Sequence, residues 1–149
     1  MSSSASASSS KSKKRVGPDN DFKVGKQLQV LIVDDDDVSQ TTYILFLQKC
    51  GVETLGVRNG NVAVTIHDIT EMRFDLILMN SVLPLMDGIP ATKKLREMGI
   101  TTMIVGMTNV NDKEEVRKEF MEAGVDDCYE KPLTPEILRS LLEKLSNKA

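Results

Sequence analysis

From Leu28 onward, short apolar runs alternate with longer stretches whose apolar positions recur at the spacing of a helix face. Short apolar runs bounded by turn residues suit strands, and the longer periodic stretches suit helices. The runs predict strands near Gln29–Asp34, Glu53–Val57, Asp75–Asn80, Thr102–Met107 and Asp126–Glu130. The periodic stretches predict helices near Val38–Cys50, Gly60–Met72, Gly88–Met98, Asp112–Ala123 and Pro135–Ser146. Such alternation predicts βαβ units and a parallel sheet, and right-handed crossovers put helices on both of its faces. Thr134-Pro135 is a good helix start, with a hydroxyl N-cap followed by proline at the first helical position. Pro90 is tolerable only because it falls in a first turn. No internal repeat is visible.

The strand-like runs share a second property, which is that they end in polar residues. Leu28–Val33 runs into Asp34-Asp35-Asp36-Asp37, and Leu76–Met79 ends at Asn80 before a loop with Pro84 and Asp87-Gly88. Met103–Met107 runs into Thr108, and Cys128-Tyr129-Glu130 into Lys131-Pro132. In a parallel α/β sheet the carboxyl ends of the strands form one edge, and ligands bind there. Two acids, a hydroxyl and a lysine on that edge make a site for a divalent cation and a phosphoryl group. Mg²⁺ is a hard cation that takes oxygen ligands and keeps several waters. Thr108 and Lys131 supply hydroxyl and ammonium contacts to phosphoryl oxygens. Lys131 can also pair with Asp35 and offset the crowded negative charge. Plainer readings exist for each residue alone. Acids favour helix N-termini, a role that suits Asp36 and Asp37. Asparagine suits a strand-end turn.

Taken together, these motifs resemble the receiver domain of two-component response regulators, over roughly Leu28 to Leu145. The resemblance implies a flavodoxin-like, doubly wound, five-stranded parallel sheet of order 2-1-3-4-5. In that family the acid pair holds Mg²⁺, and the third strand ends in the aspartate that accepts phosphate from a histidine. Asp34, Asp35, Thr108 and Lys131 match position by position, with Asp35 as direct metal ligand and Asp34 as the outer one. The phosphoacceptor position is held by Asn80. Phosphoryl transfer from histidine needs an anionic oxygen nucleophile, and a neutral amide oxygen is a poor one. Asn80 can still lend a carbonyl oxygen to a cation or a hydrogen bond. Losing one charge weakens the pull on Mg²⁺ and the repulsion among the acids. The expectation is a pseudo-receiver of a His-to-Asp phosphorelay. The segments ATKKLREMGITTMIVGMT and FMEAGVDDCYEKPLT look most like the short stand-alone response regulators of plants, which are linked to cytokinin-type relays. The family often places an aromatic residue three positions before the lysine. Here that position is Cys128, read as a small buried thiol, with Tyr129 expected on the opposite face.

The first predicted helix carries Tyr43-Ile44-Leu45-Phe46-Leu47. At about 100° per residue these side chains encircle a helix, so the sheet cannot cover them all. In the receiver family this helix meets histidine-phosphotransfer proteins, so Tyr43, Ile44, Phe46 and Leu47 are expected to contact such relay components. Burial under neighbouring helices and loops is the alternative. A competing function is a phosphatase of the haloacid-dehalogenase type, because Asp34-x-Asp36-x-Val38 after an apolar strand resembles its nucleophile motif. In that family, however, the lysine precedes the late acid pair, whereas Lys131 follows Asp126-Asp127. A cap domain is also lacking, and LMNSVLPLMDG goes unexplained.

Composition narrows the setting. At 149 residues the chain is long enough for one domain with a full core. Its 40% hydrophobic and 28% charged residues are ordinary for a soluble protein. A net charge of −3 argues against a nucleic-acid-binding surface over the whole domain. No apolar run approaches the ~20 residues that span a bilayer, and the N-terminus lacks the apolar core of a signal peptide. Two cysteines, Cys50 and Cys128, form no framework, so reduced thiols in the cytoplasm or nucleus are the default expectation. Residues 1–27 begin with a low-complexity serine tract and are expected to be a disordered tail. The receiver-like domain is expected over 28–149. Lys11, Lys13, Lys14 and Arg15 form a small basic cluster, either solubilising or a nuclear-import or phosphate-binding patch. His67, the one histidine, is expected at the surface or its boundary. The sequence ends soon after the last helix, so no DNA-binding output domain is expected.

Overall fold

The computed structural model describes residues 22–147. Five strands and five helices alternate: β1 Gln29–Val33, α1 Asp37–Lys49, β2 Glu53–Val57, α2 Gly60–Ile69, β3 Leu76–Asn80, α3 Gly88–Glu97, β4 Met103–Thr108, α4 Glu114–Ala123, β5 Asp127–Glu130 and α5 Pro135–Ser146. The strands pair in parallel in the order β2-β1-β3-β4-β5, the order that the receiver resemblance implies. The order reverses between β1 and β3, so the crevice at their carboxyl ends is the topological switch point.

Because side chains alternate across a strand, the sheet carries a core on each face. On one face Val30, Ile32, Leu76, Leu78, Val105 and Met107 meet Tyr43 and Leu47 of α1 and the leucines of α5. On the other, Leu31, Val33, Ile77, Met79 and Ile104 meet Ala63 and Val64 of α2, Ala91 and Leu95 of α3 and Phe120 of α4. Central β3 is buried at every residue. Cys128 is buried in the second core and Tyr129 packs against the first, the opposed placement read from the sequence. Ahead of β1, Phe22 and Val24 pack on the first core, and the Val24 N–H donates to the Cys50 carbonyl at 3.0 Å. The serine tract and the basic cluster lie outside the described residues.

Local chemistry sets the element ends. Thr134 caps α5, its hydroxyl accepting from the Ile137 N–H, with Pro135 in the first turn as expected. Helix α2 stops at Ile69, short of the expected Met72. There the Thr70 hydroxyl turns back to the Ile66 carbonyl, and Arg73 donates to the Thr70 and Met72 carbonyls. Helix α4 starts at Glu114 and not at Asp112, because the Asp112 carboxylate is engaged by Ser81 and by the Asn109 N–H.

Two expectations are corrected. His67 is a core residue, 3% exposed. Its Nδ1 bonds the Ala63 carbonyl at 2.8 Å, and its ring packs against Phe74. Gly60, Ala63, Val64 and His67 form the buried face of α2, and the imidazole fills a place on it. Tyr43 and Leu47, expected to contact partners, are 1% and 0% exposed. They lie one turn apart on the inner face of α1, and the Tyr43 hydroxyl accepts from the buried Leu133 N–H at 3.0 Å.

Candidate functional site

The acidic turn after β1 divides its carboxylates among distinct tasks. Asp34 is fully buried. Its Oδ1 accepts from the Asp36 N–H at 2.9 Å, and its Oδ2 meets Lys131 Nζ at 2.7 Å. Lys131 therefore pairs with Asp34, not with the expected Asp35, because it reaches down to the one acid with no access to water. Asp36 is the N-cap of α1 and accepts from the Ser39 N–H at 2.8 Å. That bond is the main reason its carboxyl sits below the ordinary aspartate value. Asp37 opens the helix and ion-pairs with Arg58 at the surface. Asp35 is left exposed at the pocket.

Residues that the sequence reading missed hold this turn. Gln40 Nε2 donates to the Asp34 carbonyl at 3.0 Å and the Val57 carbonyl at 2.9 Å, tying the ends of β1 and β2 together. Its amide packs against Gly56, where a Cβ would come within 2.7 Å of the Gln40 side chain. Arg58 Nη2 donates to the Asp35 carbonyl at 2.9 Å. None of these long-range contacts leaves a periodic trace in the sequence.

Asn80 ends β3 at 4% exposure. Its Nδ2 donates to the Val82 carbonyl at 3.0 Å, which fixes the amide orientation because a carbonyl can only accept. Its Oδ1 is buried without a partner. The loop beyond closes tightly. The Gly88 N–H donates to the Ser81 carbonyl at 2.9 Å, and a Cβ on Gly88 would lie 2.0 Å from the Asn80 carbonyl oxygen. Only glycine permits that approach. Thr108 ends β4, and its carbonyl accepts the Lys131 N–H at 2.8 Å.

Above these strand ends lies an open cavity of about 560 Å³. Of the expected residues, Asp35, Asn80 and Lys131 line it. Asp34 lies beneath, bonded to Lys131, and Thr108 flanks the cavity without lining it. Ser39, Val82, Asn109, Val110 and Asn111 also line it and were not foreseen. The clue was available, since Asn109–Asn111 directly follow the expected Thr108. Among the described residues no three His, Cys, Asp or Glu side chains converge as a metal group. The Asp35 carboxylate and the unpartnered Asn80 Oδ1 nevertheless offer hard oxygen donors of the kind Mg²⁺ takes, whereas Asp34, expected as the outer ligand, is buried with both oxygens engaged. On α1, Ile44 and Phe46 are half-buried against the core. The exposed apolar residues are Val38 at 74% and Leu45 at 61%, seven positions apart and so on one face. No described helix is long and apolar enough to cross a membrane.

The family profile of the response regulator receiver domain matches residues 30–143. Two-component response regulator ARR22 of Arabidopsis thaliana is 47% identical over 120 residues, covering 80% of this chain and 84% of that protein. Two-component response regulator ORR41 of Oryza sativa subsp. japonica is 35% identical over 121 residues, covering 80% and 94%. Among solved structures, the receiver domain of the sensor histidine kinase PA1611 from Pseudomonas aeruginosa has a magnesium ion coordinated in its active-site cleft. It superposes with a TM-score of 0.72 at 30% identity, covering 83% of this chain and all of that one.

Proposed function

This chain belongs to the response regulator receiver domain family, and we propose that it is a member that binds phosphorelay partners without itself accepting phosphate. The observation that carries this reading is Asn80. It stands at the end of β3, beside Asp35 and Lys131, with a neutral amide whose nitrogen is committed to the Val82 carbonyl. Transfer from a phosphohistidine requires an anionic oxygen in line with the phosphorus, and position 80 offers none. Asp34 cannot stand in, because it is buried and both of its oxygens are engaged.

The remaining machinery suits recognition of a phosphoryl group. Lys131, which lines the pocket, would contact its oxygens, and Thr108 stands at the flank of the same pocket. Asp35 and Asn80 Oδ1 would hold Mg²⁺ weakly, with Asp34 beneath them tied to Lys131 and out of reach of the ion as the side chains stand. When bound, the ion neutralises phosphoryl charge. The partners are histidine-phosphotransfer proteins or other histidine kinase relay components, in a cytokinin-type pathway of plants. They would dock on α1 through Leu45 and Val38, with Ile44 and Phe46 beneath. The site is the cytoplasm or nucleus, a reading that the two free, buried thiols support. Phosphatase turnover is disfavoured, because the nucleophile it would need is Asp34, which has no exposed surface.

Calorimetric titration with an unphosphorylated histidine-phosphotransfer protein tests the partner role. Binding is expected in EDTA, and Leu45→Asp should weaken it about tenfold or more while leaving the fold intact. A Leu45→Asp variant that binds as the parent does would move the docking face elsewhere, first to the surface of α4 and α5.

A further inference from the structure

The loop from Ser81 to Asp87 brings Val82 to the pocket, and its closure has to be held. Leu85 sits at φ 65° and is 85% exposed, a conformation that leucine adopts only at a cost. Inside the loop the Leu83 N–H donates to Asp87 Oδ1 at 2.8 Å and the Gly88 N–H to the Ser81 carbonyl. At the mouth, the Asn80 amide nitrogen reaches the Val82 carbonyl at 3.0 Å. An aspartate is nearly the same shape as an asparagine. Placed here, its second oxygen would occupy the Nδ2 position and face the Val82 carbonyl, acceptor against acceptor. Asp35, which lines the same pocket, adds like charge, while the Lys131 ammonium is held by Asp34. That arrangement closes only with a proton or a cation between the two oxygens. The amide hydrogens of Asn80 stand where that positive charge would have to be.

We propose that the Asn80 side-chain amide replaces a bound divalent cation as the clasp of the β3–α3 loop, so that this loop keeps one closed shape with or without the ion. The protein then presents its partner-facing edge in a constitutive form. The inference shares its site with the reading above but not its chemistry.

Hydrogen exchange of the Leu83 and Gly88 amides, with thermal melting, tests it on the full chain in excess MgCl₂ and in EDTA. No phosphoryl donor is present, so a chain that proved able to accept phosphate would overturn the previous reading and leave this one standing. The unmodified chain should show the same Leu83 and Gly88 protection in both conditions, with no more than the small rise in Tm that weak Mg²⁺ binding gives. Asn80→Asp in EDTA should exchange these amides about tenfold faster and melt about 5 °C lower, and Mg²⁺ should restore both. Asn80→Ala, which removes the clasp without adding charge, should exchange fast in both conditions. Should Asn80→Ala fail to fold, the response of Asn80→Asp to Mg²⁺ decides alone. The clasp is refuted if the unmodified chain gains protection from Mg²⁺ as Asn80→Asp does. It is equally refuted if Asn80→Asp stays protected in EDTA, or if Asn80→Ala keeps the parent's protection.

Discussion

Lys131→Met removes the ammonium that Asp34 pairs with. The contact is 2.7 Å, and the two side chains are 12% and 0% exposed. After the substitution the Asp34 carboxylate keeps one donor, the Asp36 N–H. Its charge is then buried without a counter-ion. Breaking a buried pair from one side typically costs about 3–5 kcal/mol, because the remaining charge cannot be solvated. Against a total stability of about 5–15 kcal/mol this is a large fraction. At about 3–4 °C per kcal/mol for a domain of this size, Tm should fall by about 10 °C or more. Replacing both partners, Lys131→Met with Asp34→Asn, should recover most of the loss, since a neutral amide can keep the Asp36 N–H bond. Urea unfolding of the parent, both single variants and the double variant gives the coupling directly, provided the m-value is unchanged. A Lys131→Met variant within about 1 kcal/mol of the parent would refute the buried pair.

Gly56→Ala should cost about 1–3 kcal/mol by urea unfolding, because the new methyl displaces Gln40 from the Asp34 and Val57 carbonyls. Gln40→Ala added in the same background should cost little further. Burial holds the His67 imidazole below its ordinary pKa, with Arg73 adding to the effect. The unfolded chain therefore takes up the proton first, so this part of stability is complete above about pH 6.5 and is lost as pH falls from there through the folded value. His67→Gln should flatten that limb of a stability–pH curve measured between about pH 5 and 7.5, by up to about 1.4 kcal/mol per pH unit. Tyr43→Phe leaves the buried Leu133 N–H without an acceptor. It should lower stability by about 1–3 kcal/mol in urea unfolding without changing affinity for a histidine-phosphotransfer protein in calorimetry.

What the sequence made legible was the chemistry of strand ends and turns. The bounds of β2 and of α5 agree with the structure, and at α5 the reason is local: Thr134 and Pro135 declare the helix start by themselves. The acids, Asn80, Thr108 and Lys131 come to one edge because parallel strands end together, a consequence of topology that alternation already implies. Contacts between distant elements were not legible. Arg96 bonds the Gly124, Ile100 and Thr102 carbonyls and the Asp126 carboxylate, yet it reads in sequence as one more surface cation. Asp112 reads as a helix start and is spent on the loop beside it. His67 was misplaced by residue type, although its spacing from Gly60, Ala63 and Val64 pointed inward. In the run Tyr43–Leu47 the sequence showed that some side chain must be exposed. Which one depends on where the sheet lies, and the answer is Leu45.

Intact mass after incubation with a phosphorylated histidine-phosphotransfer protein and Mg²⁺ tests the central claim most directly. The unmodified chain is expected to keep its mass, while Asn80→Asp gains one phosphoryl group that is stable to acid and labile to base. A phosphoryl group of that kind on the unmodified chain would contradict the account.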